Sequence, residues 1–201
     1  MNLHDFKLLL SNFIPHALTR FGDGEKNIFD EVNCDRKGFK YDKEIDGVFH
    51  NELIESYNYK SDNYFVADKA PISACLFVNE NYKDFFSKIV PLFNLYNVIL
   101  VGNEKAEIFE LPFFVNRFIP VSDNAWRHYT DVQNEIFALL NLWGNTSLVL
   151  FACGPYSNVL IHRIWKENKQ NILLNIGSTL DPLFYGVNTR QYQERIFDND
   201  C

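Results

Sequence analysis

Three stretches of the chain are apolar almost without interruption: "NVILVGN" (97–103), "SLVLFACG" (147–154) and "ILLNIGS" (172–178). Short runs rich in Val, Ile and Leu, with no polar alternation, are the pattern of strands covered on both faces, as in a parallel sheet between two layers of helices. "HALTRFG" (16–22), "ISACLFVN" (72–79) and "NRFIPVS" (116–122) are weaker strand candidates. Between these runs, apolar residues at three-and-four spacing predict helices from Tyr41 to Tyr57, Tyr82 to Phe93, Asn124 to Leu142 and Tyr156 to Asn168. The alternation of strand and helix predicts an α/β fold, a single domain over residues 1–201 with an open, mainly parallel sheet flanked by helices. Residues 1–15 add an N-terminal helix, residues 190–201 are a tail, and its last stretch, "RIFDNDC" (195–201), reads as loose.

Composition narrows the function without choosing it. With 47% hydrophobic and 22% charged residues the chain has the material for a large core. A net charge of −7 argues against a nucleic-acid partner, which needs clustered Lys and Arg to neutralise phosphates. A small phosphorylated ligand is compatible, provided a few cations, main-chain amides or a metal converge on it. The cysteines Cys34, Cys75, Cys153 and Cys201 form no CxxC pair, so reduced thiols are expected. There is no apolar run of membrane-spanning length and no leader pattern, and the expected location is cytoplasmic.

In an open α/β sheet, ligands bind beyond the carboxyl ends of the strands, so the residues that follow each apolar run carry the chemistry. The first is "RFGDGE". On a bend that the glycines permit, Asp23 and Glu25, two positions apart around Gly24, face the same side and suit a hard divalent cation, Mn or Mg, and Arg20 suits a phosphate; the competing reading is an ordinary Asp-Gly surface turn. In "FACGPYSN", Gly154 and Pro155 open a helix whose first amides suit an anion, or simply end a strand. In "VSDNAWRH", Asp123 or Asn124 caps a helix, and Trp126 either stacks on a base or sugar or belongs to the core. Asn79 and Asn103 follow two further runs; Ser178 and Asp181 follow the last, in a loop that reaches a sugar or phosphate or is only an Asp-Pro turn. No histidines share metal-ligand spacing.

Taken in order, these motifs resemble those of the GT-D type glycosyltransferases, a bacterial family first catalogued as a domain of unknown function. The similarity rests on the intact "RFGDGE", then "FVNENY", "NVILVGN", "NAW" and "ACGPYSNVLIHRI" leading to "NIGS", from about residue 17 to about residue 185. The chain departs from the family pattern at Ser178, where histidine is common, and in the "TLDPLFYG" that follows. The resemblance implies a single Rossmann-like domain and a metal-dependent glycosyltransferase. Its donor would be a nucleotide-diphosphate sugar, UDP-linked by expectation, and its acceptor a glycan or glycoprotein.

Asp23 and Glu25 would then hold the Mn or Mg ion, with Asp181 or Asp123 as general base. The donor would meet Arg20, Phe21, Gly22, Gly24, Asn79, Asn103, Asn124, Trp126, Gly154, Pro155 and Ser178. Two rival readings are a nucleotide-binding module without catalysis and a Rossmann-like methyltransferase using the "FACGPY" turn.

Overall fold

A computed structural model describes residues 1–36, 39–68, 72, 76–108, 110–127 and 131–196, without the side chains of Arg36, Arg195 and Ile196. Its centre is a six-stranded sheet, all parallel, in the order β4-β1-β8-β7-β5-β6. The strands are β1 (His16–Arg20), β4 (Tyr64–Ala67), β5 (Val98–Asn103), β6 (Arg117–Val121), β7 (Leu148–Ala152) and β8 (Ile172–Asn175). A separate antiparallel hairpin joins β2 (Cys34–Arg36) to β3 (Phe39–Tyr41).

The uninterrupted apolar runs are explained by two cores. Ile99, Val101, Val149, Phe151 and Leu173 face one layer, with α3 (Gly47–Asn58), α5 (Asp131–Trp143) and α6 (Tyr156–Glu167). Val98, Leu100, Leu148, Leu150, Ile172 and Leu174 face the other, with α1 (Leu3–Ser11) and the helical run 79–95. Alternate residues of one strand therefore go into different cores, and both sets are apolar.

From β5 the chain moves outward to β6, whereas from β7 it moves the other way to β8. The carboxyl ends of these neighbouring strands form a topological switch point, where open α/β sheets place ligands. No helix among the described residues is long and apolar enough to cross a membrane.

The structure corrects several local expectations. The strand expected in "ISACLFVN" is absent from its described part: residues 76–78 are turn and bend, and residues 73–75 lie outside the described residues. The strand beside β1 is instead β4, four residues between Asn63 and Asp68. The helix expected from Tyr41 begins at Gly47, because Tyr41 closes the hairpin. The run from Tyr82 is helical but mixed, with α4 (Tyr82–Asp84), a π segment Phe85–Ile89 and a 3-10 segment Val90–Leu95 that contains Pro91. The expected helix from Asn124 is divided into a 3-10 turn Ala125–Arg127 and α5; residues 128–130 lie outside the described residues. Of the tail, residues 190–196 are described. Gln191–Ile196 forms a 3-10 turn, and Gln193 is fully buried.

At the opposite end of the sheet from the switch point, His16 is fully buried with its ring against Phe6, and Nδ1 hydrogen-bonds the Ile14 carbonyl at 2.7 Å. Burial lowers its pKa from 6.5 to about 4. The folded protein therefore rejects a proton that the unfolded chain accepts. This contribution is complete above pH 6.5 and is lost as pH falls towards 4, by about 3 kcal/mol in all. Urea unfolding at pH 7 and pH 5 is expected to show lower stability at pH 5, and His16→Phe is expected to flatten that dependence; an unchanged pH dependence in the variant would refute the assignment.

Candidate active site

The end of β1 is held by side-chain amides. The β1 to β8 ladder runs only as far as Leu18 opposite Leu174, so the backbone of Arg20 has no strand partner on that side. Asn158, fully buried on α6, replaces it: the Arg20 N–H donates to Asn158 Oδ1 at 3.0 Å, and Asn158 Nδ2 donates to the Arg20 carbonyl at 2.7 Å. A carboxamide can do this because it carries the same donor and acceptor as a peptide. Asn175, at the end of β8, donates to Asn158 Oδ1 at 2.7 Å and accepts from the Gly177 N–H at 3.0 Å, which fixes which way both amides point.

The Arg20 side chain follows from this anchoring. Its Nη1 donates to the Ile176 carbonyl at 3.1 Å, and the guanidinium lies 5.7 Å from the Phe77 ring centre. Gly177 makes room for it. A Cβ there would come within 3.1 Å of Arg20 Nη1, and φ of +53° is itself unfavourable for other residues. Ser178 Oγ and Tyr192 Oη are 3.0 Å apart, and Gln193 Nε2 donates to the Ser178 carbonyl at 2.6 Å, so the 191–196 turn folds onto this loop. Burial raises the Tyr192 pKa and the nearby Arg20 opposes the shift, so the phenol stays neutral at pH 7.

"GDGE" is not the bend expected from its glycines. Asp23 opens a helix, α2 (Asp23–Phe29), with Gly22 as its N-cap. Residues two apart in a helix point about 200° away from each other, so Asp23 and Glu25 would diverge. Glu25 instead turns back and accepts from the Gly22 N–H at 2.9 Å, the acidic half of a capping box. That bond draws its carboxylate towards the start of the helix, where Asp23 stands exposed. Gly24 serves packing rather than a turn: a Cβ there would lie 3.1 Å from the Phe39 ring of the β2-β3 hairpin.

The other expected site residues divide into groups. Phe21 is 1% exposed and packs on Tyr57 and Phe29, and Pro155 is buried, so both support the site from beneath rather than touch a ligand. Gly154 is exposed with φ of +62°, just before α6. Asn103 Nδ2 donates to Asp123 Oδ1 at 2.7 Å and Lys105 Nζ lies 3.4 Å from Asp123 Oδ2, so both oxygens of Asp123 are engaged beyond β5 and β6. Asn124 accepts from the Lys40 N–H and ties the hairpin to this loop.

Asp181 is the first residue of α7 (Asp181–Tyr185), and its Oδ2 accepts from the Thr189 hydroxyl; its charge acts on Tyr192 together with that of Arg20, on the β8 side. Asn79 is exposed at the start of the 3-10 turn Asn79–Asn81. Trp126 stacks on Phe49 at 4.6 Å and 12°.

Asn158, Asn175 and Tyr192 were missed from sequence. A signal existed for two of them, since an Asn inside the apolar "SNVLI" helix or at the end of "ILLN" is out of place unless its amide is used.

A divalent ion is compatible with this arrangement only in a particular way. Among the described residues no three His, Cys, Asp or Glu side chains come together as a metal cage. The protein can offer Asp23 and Glu25, with the remaining oxygens coming from substrate phosphates and water, which is how Mg and Mn are commonly held.

No protein-family model matches the chain. No curated protein matches it either. Solved structures do. A domain of unknown function 1792, described as having a distinct glycosyltransferase fold, aligns with a TM-score of 0.63 at 15% identity, over 99% of this chain and 88% of that one. A selenomethionine form of domain of unknown function 1792 aligns with a TM-score of 0.62 at 16% identity, over 99% and 88%. A protein from Streptococcus sanguinis described as a new glycosyltransferase of the same domain type aligns with a TM-score of 0.61 at 17% identity, over 100% and 92%. The chain thus has the fold described for those glycosyltransferase domains.

Proposed function

We propose that this protein is a glycosyltransferase whose nucleotide-diphosphate sugar donor, UDP-linked by preference, sits beyond the carboxyl ends of β1, β8 and β7. The observation that supports this most is the anchored Arg20, held through backbone and side chain at the end of β1, the strand that leads through Gly22 to Asp23 and Glu25 at the start of α2, within a fold shared with proteins described as glycosyltransferases.

Transfer from a nucleotide diphosphate develops negative charge on the departing phosphates, and preorganised donors aimed at that charge lower the barrier. Arg20 supplies a guanidinium already fixed before substrate arrives, and the exposed Gly154 leaves the turn before α6 open to a phosphate. Asp23 is the carboxylate that would hold Mn or Mg, with Glu25 beside it, and such an ion would supply Lewis-acid stabilisation of the diphosphate. The acceptor hydroxyl must lose a proton as it attacks. Asp181 is the base in this reading: it acts on Tyr192 together with Arg20 and accepts from the neutral Thr189 hydroxyl, whereas Asp123 is paired with the Lys105 ammonium. The acceptor in this reading is a glycan or glycoprotein.

The test is release of free nucleotide from a panel of UDP- and GDP-linked sugars, with Mn and after chelation by EDTA. Turnover of at least one donor, lost on chelation and restored by Mn, is the expected result. Binding of a nucleotide diphosphate with no turnover of any donor would instead favour a non-catalytic module, and metal-independent turnover would remove the ion from the account.

A further inference from the structure

On the helical face opposite Tyr192 and α7, a cleft of about 320 Å³ lies between the start of α3, the Ala125–Arg127 turn and the first turns of α6. Its aromatic wall is the half-buried Trp126, backed by the buried rings of Phe49, on which it stacks, and Tyr156. Its polar groups are fixed in advance. Asp46, only 5% exposed, accepts from the Asp42 N–H at 2.8 Å, from Arg127 Nε and Nη2 at 2.9 and 2.6 Å, and from the Trp126 indole N–H at 3.3 Å. One carboxylate thus sets the plane of both the indole and the guanidinium. Across the cleft, Arg163 pairs with Glu52. Ile45 and Val48, 66% and 76% exposed, form the lip.

Stability does not explain this arrangement, since a buried ion pair rarely outperforms apolar residues of similar size, and large apolar side chains at a lip gain nothing from water. The charges define what the cleft suits. Asp46 and Glu52 balance Arg127 and Arg163, so the cleft is formally neutral in a chain of net charge −7 and has no preference for a diphosphate. An aromatic wall with fixed hydrogen-bonding forks on either side matches a neutral molecule that has apolar C–H faces and a rim of hydroxyls.

We infer that this cleft binds a neutral sugar residue of the acceptor glycan, at a position removed from the reacting hydroxyl. The assignment of the sugar to the acceptor rests on the transferase reading; the affinity of the cleft for a saccharide does not. Tyr156, two residues beyond Gly154, is the connection, since it belongs both to the cleft and to the turn on which the donor phosphates would rest.

The probes are methyl β-glucopyranoside, methyl β-galactopyranoside and N-acetylglucosamine, titrated to about 50 mM, the range in which single-sugar affinities register. The readout is the indole N–H resonance of Trp126, assigned with Trp126→Phe. A saturable shift with at least one sugar, weakened about ten-fold or more in both Val48→Arg and Ile45→Arg, is the expected result. Two lip variants are used so that misfolding of one, visible as a lost amide spectrum, does not decide the matter. No shift with any of the sugars, or equal shifts in folded variants, overturns the inference. A shift produced by UDP and not by sugars overturns it too, by making the cleft a nucleotide pocket. If the sugars bind while no donor is ever turned over, it is the transferase reading that fails and the saccharide site that stands.

Discussion

Asp23→Ala is expected to lower sugar transfer by about 10³-fold or more while shifting the thermal midpoint by no more than about 2 °C. Both halves of that expectation come from where the residue sits. Asp23 is exposed at the first position of α2 and belongs to neither core, so its removal leaves packing intact. Its carboxylate is the group the proposed chemistry needs, because the only other acid on that turn, Glu25, already gives one oxygen to the Gly22 N–H. Glu25 provides the internal contrast. Glu25→Gln keeps an acceptor for Gly22 and changes only the charge, whereas Glu25→Ala also removes the helix-start bond, at about 1 kcal/mol. Activity lost in Glu25→Ala but kept in Glu25→Gln would mean that Glu25 shapes the turn rather than meeting the ion.

Asn158→Ala is expected to destabilise the fold by about 3 kcal/mol and to reduce transfer even at temperatures where the variant is fully folded. The substitution removes the acceptor of the Arg20 N–H and the shorter of the two amide bonds to its carbonyl, Asn175 remaining at 3.4 Å, and it takes away the 2.7 Å acceptor of Asn175 as well. Asn158→Asp separates the two effects. A carboxylate still accepts from the Arg20 N–H and from Asn175, but it faces the Arg20 carbonyl with a second acceptor where an N–H donor stood. If Asn158 sets the position of Arg20, the aspartate variant loses turnover with little change in the donor KM. If the residue only holds the fold together, urea midpoints and turnover will fall in step across the variants.

These expectations show what could be read before the structure and what could not. The strands β5, β7 and β8 were legible because strands covered on both faces have no choice but to be apolar throughout, and α6 was legible from its spacing. Shorter elements were not. The four residues of β4 carry too little pattern to outweigh the longer apolar run that follows them, and the β2-β3 hairpin has little burial to mark it. The seven-residue α2 was hidden by its own glycines, which read as a bend; Gly24 is there because Phe39 lies against it, a contact fifteen positions away that no local pattern reveals.

The same distinction holds in the site. Residues that carry chemistry by type, Arg20, Asp23 and Glu25, stand out in a sequence. Residues that act by holding others, such as Asn158 for Arg20 or Asp46 for Trp126, become visible only when α6 is laid against β1 and the start of α3 against the Ala125–Arg127 turn.

Calorimetric titration of UDP into the wild-type protein and into Asp23→Ala, each with Mn and with EDTA, goes to the centre of the matter. Binding by the wild type that strengthens about ten-fold or more with Mn, and an Asp23→Ala variant in which Mn makes no difference, is the outcome that follows from a diphosphate held at the end of β1. Equal affinity in all four titrations would contradict it.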